Sequence, residues 1–168
     1  MRLSHITTLA ALFIFALAPL DGLAQEPRGF RGLEWGNSAQ GVQGLTLIEQ
    51  GDSYFYVREG EILRVGEAEL TNIIYGYFQD RFYTVVVEFD GFANFTMILY
   101  ALETKYGRAA NADMQNFQHY WFFDTVDIYI EYDPDTSAGN VFYVYTPIME
   151  ERERGGAEAP GAGEYDGI

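Results

Sequence analysis

A run of large apolar residues between positions 92 and 106 sets the strongest limit on how this chain can fold. These residues recur at spacings of three and four, which is the repeat of one face of an α-helix. They are Phe92, Phe95, Leu99, Leu102 and Tyr106. Gly107 follows where helices commonly end, and Lys105 lies in the last turn, where a cation is favoured. The pattern predicts one long amphipathic helix over residues 92–106 that packs on a sheet.

The segments on both sides of this helix carry the patterns of β-hairpins. Residues 72–78 and 82–89 are rich in aromatic and β-branched residues and flank a short polar turn. After the helix, apolar and polar residues alternate over 126–132, and the sequence DPDTSAGN at 133–140 is typical of a turn into a further strand. Strands, one long helix and more strands predict an α+β domain, in which an antiparallel sheet of hairpins carries the helix on one face.

The N-terminus has the layout of a secretory signal peptide. A basic Arg2 precedes an apolar run at 6–17, and small residues stand before Gln25. We therefore predict a signal peptide at 1–24 and a bacterial periplasmic or secreted location. The remaining chain is expected to comprise a mobile leader at 25–29, the domain at 30–148, and a disordered acidic and Gly-rich tail at 149–168.

Composition excludes several classes of function. The chain has no cysteine, which excludes disulfides, thiol catalysis and thiolate metal sites. Its net charge is −15, which disfavours binding to nucleic acid or to anionic lipid. We expect no integral membrane segment after the signal peptide, because no later stretch is long and apolar enough. The acidic surface suits a cationic partner, and it also suits simple solubility.

No motif for catalysis, metal binding or cofactor binding emerges from the chain. His119 is the only histidine beyond the predicted signal peptide, and no acid stands at a recognised spacing from it. The turn that begins at Asp133 resembles the first half of a calcium loop, but Ala138 replaces the required glycine and Val144 the required glutamate. We therefore predict no catalytic residue, no metal and no cofactor.

Aromatic residues suggest the best hypothesis for function. The chain has 13 tyrosines, and strand alternation places Tyr129 on a polar face between Asp127 and Glu131. Aromatic sheet surfaces bind proteins, peptides or sugars, although tyrosine is also a good strand former. We expect a non-catalytic module that binds an envelope protein or a peptide. The candidate binding residues are His119, Trp121, Tyr129, Tyr143 and Tyr145.

Two alternatives from other classes remain open at this point. Paired carboxylates on strand faces could serve a glycan hydrolase, for which Asp124, Asp127 and Glu131 are the candidates. The same aromatic surface could instead bind a small ligand or a sugar.

Four segments resemble a group of small exported bacterial domains of uncharacterised function. They are FRGLEWGNS, IIYGYFQDRFYTVVVEF, FTMILYALETKYGR and DTVDIYIEY, and the resemblance covers residues 30–147. The helix-on-sheet layout is more remotely similar to the outer-membrane assembly lipoprotein BamE and to β-lactamase inhibitory proteins. Those families imply protein–protein binding without catalysis. This chain lacks the lipidated cysteine of the former and the disulfides of the latter.

Overall fold

The structure is a computed structural model in which residues 25–157 are described. The predicted signal peptide at 1–24 lies outside these residues. The strands of the described part are β1 (Gly29–Phe30), β2 (Leu33–Glu34), β3 (Leu45–Gln50), β4 (Ser53–Arg58), β5 (Arg64–Val65), β6 (Ala68–Glu69), β7 (Asn72–Phe78), β8 (Arg81–Asp90), β9 (Asn111–Asp113), β10 (Gln118–Phe122), β11 (Val126–Asp133) and β12 (Ala138–Tyr145). The helices are α1 (Phe92–Tyr106) and α2 (Thr146–Ala157).

Eight of the strands form one antiparallel sheet in the order β3-β4-β7-β8-β12-β11-β10-β9. The predicted hairpins are present: β7 pairs with β8, and β11 pairs with β12 across the 133–140 turn. The α+β class and the antiparallel sheet are thus confirmed. The expectation of a single helix is wrong, because α2 follows β12.

Helix α1 spans the residues that the spacing predicts and packs on one face of the sheet, which we call the helix face. Its buried side chains are Phe95, Ile98, Leu102 and Tyr106. Phe92, expected in the same stripe, is 53% exposed, and its ring lies 5.8 Å from Phe95 and 5.7 Å from Tyr132. Gly107 ends the helix at a φ of 77°, a backbone conformation that glycine adopts without strain.

Two small hairpins cover the rest of the helix face. In the β1–β2 hairpin, the Phe30 ring lies 5.1 Å from Tyr143, and just beyond it Trp35 stacks on Phe82 at 4.6 Å. The β5–β6 hairpin buries Ala68, and the β6 backbone is joined to α1 through the Asn94 side chain. The helix face of the central strands is consequently a closed apolar core.

A β-bulge in β8 redirects one aromatic residue. Gly76 pairs with Thr84 and Tyr77 with Phe82, so Tyr83 is the extra residue between them. In a regular strand Tyr83 would lie on the same face as Val85 and Val87, but the bulge moves it to the opposite face. There it packs with Phe78 and with Ile148 of α2.

Both ends of the predicted domain are more structured than expected. In the segment 25–29, expected to be a mobile leader, Glu26 accepts hydrogen bonds from the Thr125 backbone N–H at 2.6 Å and hydroxyl at 2.9 Å. Pro27 O accepts one from the Trp35 indole at 2.8 Å. Residues 149–157, assigned to the disordered tail, form most of α2. Helix α2 is fixed by Ile148 in the core and by an Arg81–Glu151 ion pair of 2.8 Å.

Candidate functional site: the open face of the sheet

The face of the sheet opposite α1, which we call the open face, carries a row of apolar side chains across five strands. The pairing register aligns one residue from each of β10, β11, β12, β8 and β7, because antiparallel partners point to the same side. These residues are Tyr120, Tyr129, Phe142, Val86 and Ile74. Each is partly exposed, whereas their neighbours along each strand face the core.

The aromatic surface also extends along β10 to Phe122, which is two residues beyond Tyr120 and 58% exposed. We call Phe122, Tyr120, Tyr129 and Phe142 the aromatic ladder. The rings of Phe122 and Tyr120 are 6.1 Å apart, those of Tyr120 and Tyr129 5.9 Å, and those of Tyr129 and Phe142 4.3 Å. Interplanar angles of 10°, 24° and 14° show that each ring is nearly parallel to its neighbour. Stacked aromatic pairs of this kind contribute about 0.5 to 1.5 kcal/mol beyond the area that they bury.

A row of polar residues runs beside the ladder row, at a distance of two residues along each strand. The register places on it Gln118, Glu131, Asn140, Glu88 and Asn72. The Tyr120 hydroxyl donates to Gln118 Oε1 at 2.9 Å and so links the ladder to this row. On the other side of the Tyr120–Tyr129–Phe142 row, Asp127 lies opposite Val144 and opposite Phe122 of the ladder.

The open face is acidic and partly desolvated. Glu88, Asp127 and Glu131 lie on it, and Arg81 at the start of β8 is paired with Glu151. Burial raises the pKa of the Asp127 carboxyl. Burial also raises the pKa of the Tyr129 hydroxyl, and the charge of Glu131 and the neighbouring Tyr120 add to the effect. Acidic side chains therefore flank the apolar row on both sides, and no lysine or arginine lies on these rows.

The structure places the five predicted binding residues on both faces of the sheet. Tyr129 is in the centre of the aromatic ladder. Tyr143 is buried on the helix face, and Tyr145 lies there beside Trp35. All three are strand tyrosines, but the register pairs Tyr129 with Phe142, whose side chain lies on the face opposite to Tyr143 and Tyr145. Neither belongs to the open surface.

His119 and Trp121 also face the core. His119 is only 6% exposed, in β10 and not in a loop, and burial lowers its pKa. Trp121 is 3% exposed, and its indole N–H donates to Gly107 O at 2.8 Å, so it supports the end of α1. The residues missed by sequence reasoning are Tyr120, Phe122 and Phe142. Alternation along β10 and β12 was the signal that could have found them, because each stands between core residues.

Two of the carboxylates named for a glycan hydrolase, Asp127 and Glu131, are too far apart to form a matched pair. Asp127 and Glu131 share the open face of β11 but are four residues apart, which is about 13 Å along a strand. Retaining and inverting glycosidases need carboxyl groups about 5 to 9.5 Å apart. Asp124 is exposed in the β10–β11 turn. In the described part of the chain, no group of three histidines or acids is placed to hold a metal ion.

A comparison of the chain with models of protein families, with curated proteins and with solved structures finds no match. The similarity in layout to BamE and to β-lactamase inhibitory proteins therefore stays a prediction. Within residues 25–157, neither helix has the length and apolar character needed to cross a membrane.

Proposed function

We propose that this protein is a non-catalytic, exported binding module whose open face contacts another protein or a peptide through the aromatic ladder. The observation that carries the proposal is a series of four aromatic rings, each nearly parallel to its neighbour, on a face that neither helix α1 nor the two small hairpins cover. Rigid aromatic side chains give large contact areas at low entropic cost, and they are enriched at protein interfaces.

The ring geometry favours a protein or a peptide over a sugar. Sugars stack on the flat faces of aromatic rings, so a sugar platform needs rings that turn their faces outward. The rings of Tyr129 and Phe142 are 4.3 Å apart with an interplanar angle of 14°, so these faces are turned towards each other. Edges and the tyrosine hydroxyls are left for a partner, which suits side-chain and backbone contacts of a polypeptide.

The charges on the open face favour a partner with a basic rim. Glu88, Asp127 and Glu131 flank the apolar row, so lysine or arginine side chains around an apolar centre would be complementary. Such pairs act mainly on the rate of association and are screened by salt. The proposed complex should therefore form more slowly at high ionic strength.

Site-specific crosslinking tests this function. A photoreactive residue at Phe122 should capture a partner in the exporting cell, whereas the same residue at Tyr100, which is 71% exposed on α1, should not. With that partner purified, Tyr120→Ser combined with Tyr129→Ser should weaken binding by at least about tenfold, as expected for interface aromatics. Tyr100→Ser is the matched control. Equal affinities of the double variant and the control would reject the proposal.

A further inference from the structure

A second interaction surface lies at one edge of the large sheet, along strand β3. The strand order places β3 (Leu45–Gln50) at one end of the sheet and β9 (Asn111–Asp113) at the other. Within residues 25–157, β3 pairs with β4 on one side, and its other side has no strand partner. Five of its six residues are exposed. The outward-facing backbone N–H and C=O groups of β3 are therefore available to an added strand.

The two edges of the sheet differ in how well they are protected against an added strand. Strand β9 has only three residues, and a short edge with a charged side chain is a common form of protection. Strand β3 is twice as long and contains neither lysine nor proline. Its adjacent Leu47 and Ile48 are 44% and 49% exposed. A long edge with exposed apolar side chains is a template for pairing with another chain, so β3 is the edge that suits a partner.

The two sides of this edge carry different side chains. Leu47 pairs with Tyr56, whose ring lies 5.4 Å from the buried Tyr77, so Leu47 lies on the helix face. Glu49 pairs with Phe55, the neighbour of Tyr56 along β4, so Glu49 lies on the open face. At the centre of the edge, the helix side is therefore apolar and the open side is acidic.

A second acid adds to the open side of the edge. Glu59 follows directly after β4, and its Oε1 accepts a hydrogen bond from the Thr46 hydroxyl at 3.2 Å, so this carboxylate lies beside β3. Glu49 and Glu59 are both exposed, and neither forms an ion pair within the described residues. The nearest cation of β4, Arg58, pairs with Leu45 and so lies on the helix side. Basic side chains on one face of an added strand would complement the two acids.

We propose that the β3 edge binds an extended peptide in which apolar and basic residues alternate. The peptide backbone pairs with β3, its apolar side chains lie beside Leu47, and its basic side chains lie beside Glu49 and Glu59. A second copy of the chain fits this edge less well, because each copy carries a net charge of −15 and the β-bulge at Ile48 interrupts regular edge-to-edge pairing. Strands β4, β7 and β8 separate β3 from the aromatic ladder, so the inference does not depend on the function proposed for that surface.

Isothermal titration calorimetry with three capped heptapeptides tests the inference. In the first, valine and lysine alternate; the second has the same side chains but an N-methyl group on every internal residue; in the third, glutamate replaces lysine. The first should bind at least about tenfold more tightly than either of the others, because N-methylation removes backbone hydrogen bonds and glutamate reverses the charge. Equal binding of the N-methylated peptide would overturn strand pairing. Absence of saturable heat from the first peptide at about 1 mM would overturn the inference as a whole.

A variant of β3 locates the binding. Leu47→Lys places a cation at the centre of the edge and should weaken binding of the valine–lysine peptide about tenfold. Tyr100→Lys adds the same charge at an exposed position of α1 and is the matched control. Circular dichroism melting of both variants checks that they are folded. Equal affinities of the two folded variants would assign the binding elsewhere and overturn the inference.

Hydrogen exchange and light scattering separate a peptide from a second copy as the occupant of the edge. The valine–lysine peptide should slow amide exchange in β3 and leave exchange in β9 unchanged. Protection of β9 without protection of β3 would overturn the inference. Light scattering of the free protein should give the mass of a monomer. A dimer that Leu47→Lys dissociates would make a second copy the occupant and overturn the assignment to a peptide.

Discussion

The two faces of the sheet are made by the same strands, yet one is closed and the other is open. Along β11 the helix face receives Ile128 and Ile130, both fully buried, whereas the open face receives Tyr129 and Glu131, which alternate with them. On the helix face, α1 and two small hairpins exclude water. On the open face, α2 packs against the corner around Tyr83. Stability is therefore concentrated on one side, which leaves the other free to hold aromatic residues for a partner.

The largest expected difference in stability between the two faces comes from shortening the side chains of two adjacent residues on β11. Ile128→Ala leaves a cavity in the core and should lower the free energy of unfolding by about 2 to 5 kcal/mol. Tyr129→Ala removes a partly exposed ring and should cost about 1 kcal/mol, mainly the stacking with Phe142. Urea denaturation measures both. Equal losses would mean that the open face is part of the folding core.

A smaller loss of stability is expected from adding one methyl group at Gly139. A Cβ at this position would lie 2.2 Å from the Phe89 ring, which is buried on the helix face. Gly139→Ala should therefore overpack the core and cost about 1 to 3 kcal/mol.

The same substitution in α2 provides the control. Gly155 has open space around its Cα, and Gly155→Ala should stabilise the helix by up to about 1 kcal/mol. Thermal unfolding of the two variants should shift in opposite directions. A Gly139→Ala protein that melts at or above the wild-type temperature would contradict the close packing of Phe89 and β12.

His119 should make the helix face sensitive to acid. Burial lowers the pKa of its imidazole, with an opposing influence from Glu103, so the folded state favours the neutral form. The unfolded chain takes up this proton first, at about pH 6.5. Stability should therefore fall as the pH drops below that value, until the folded protein is also protonated. The melting temperature should therefore fall between pH 7 and pH 5, and it should fall less in the His119→Gln variant. An equal fall in both proteins would argue against a buried neutral imidazole.

Asp127 should give the smallest change in stability, and its dependence on pH should have the opposite sign to that of His119. Burial raises the pKa of its carboxyl, so the folded state favours the protonated form. As the pH rises above about 3.9, the unfolded chain ionises first and the folded state loses stability. Asp127→Asn should therefore stabilise the protein slightly at pH 7 and not at pH 3. Melting curves at both values measure this, and a loss of stability at pH 7 would show that the charge is stabilised by its surroundings.

Local patterns predicted the elements of the fold, whereas the pairing register determined the site. The spacing of apolar residues gave the bounds of α1, and alternation gave the two faces of β11. Alternation within β12 also separates Phe142 from Tyr143, but only the register shows that Phe142 is the partner of Tyr129. The bulge at Tyr83 could not be read from the sequence, because its residues suit a regular strand equally well.

The remaining errors have the same origin in tertiary contacts. Residues 149–157 are mostly charged or small and look disordered locally. They form a helix because Ile148 is buried against Tyr83 and because Arg81 and Asp52 bind acidic and basic residues of α2.

Tyrosine modification of the free and partner-bound protein tests most directly the claim that the open face carries the interaction. In the free protein, a tyrosine-selective reagent should modify Tyr120 and Tyr129, together with the exposed Tyr100, while the buried Tyr75 and Tyr143 stay unmodified. Mass spectrometry of the complex should show protection of Tyr120 and Tyr129 but not of Tyr100. Protection of Tyr100 with unchanged modification of the ladder tyrosines would contradict the account and place the interface on α1.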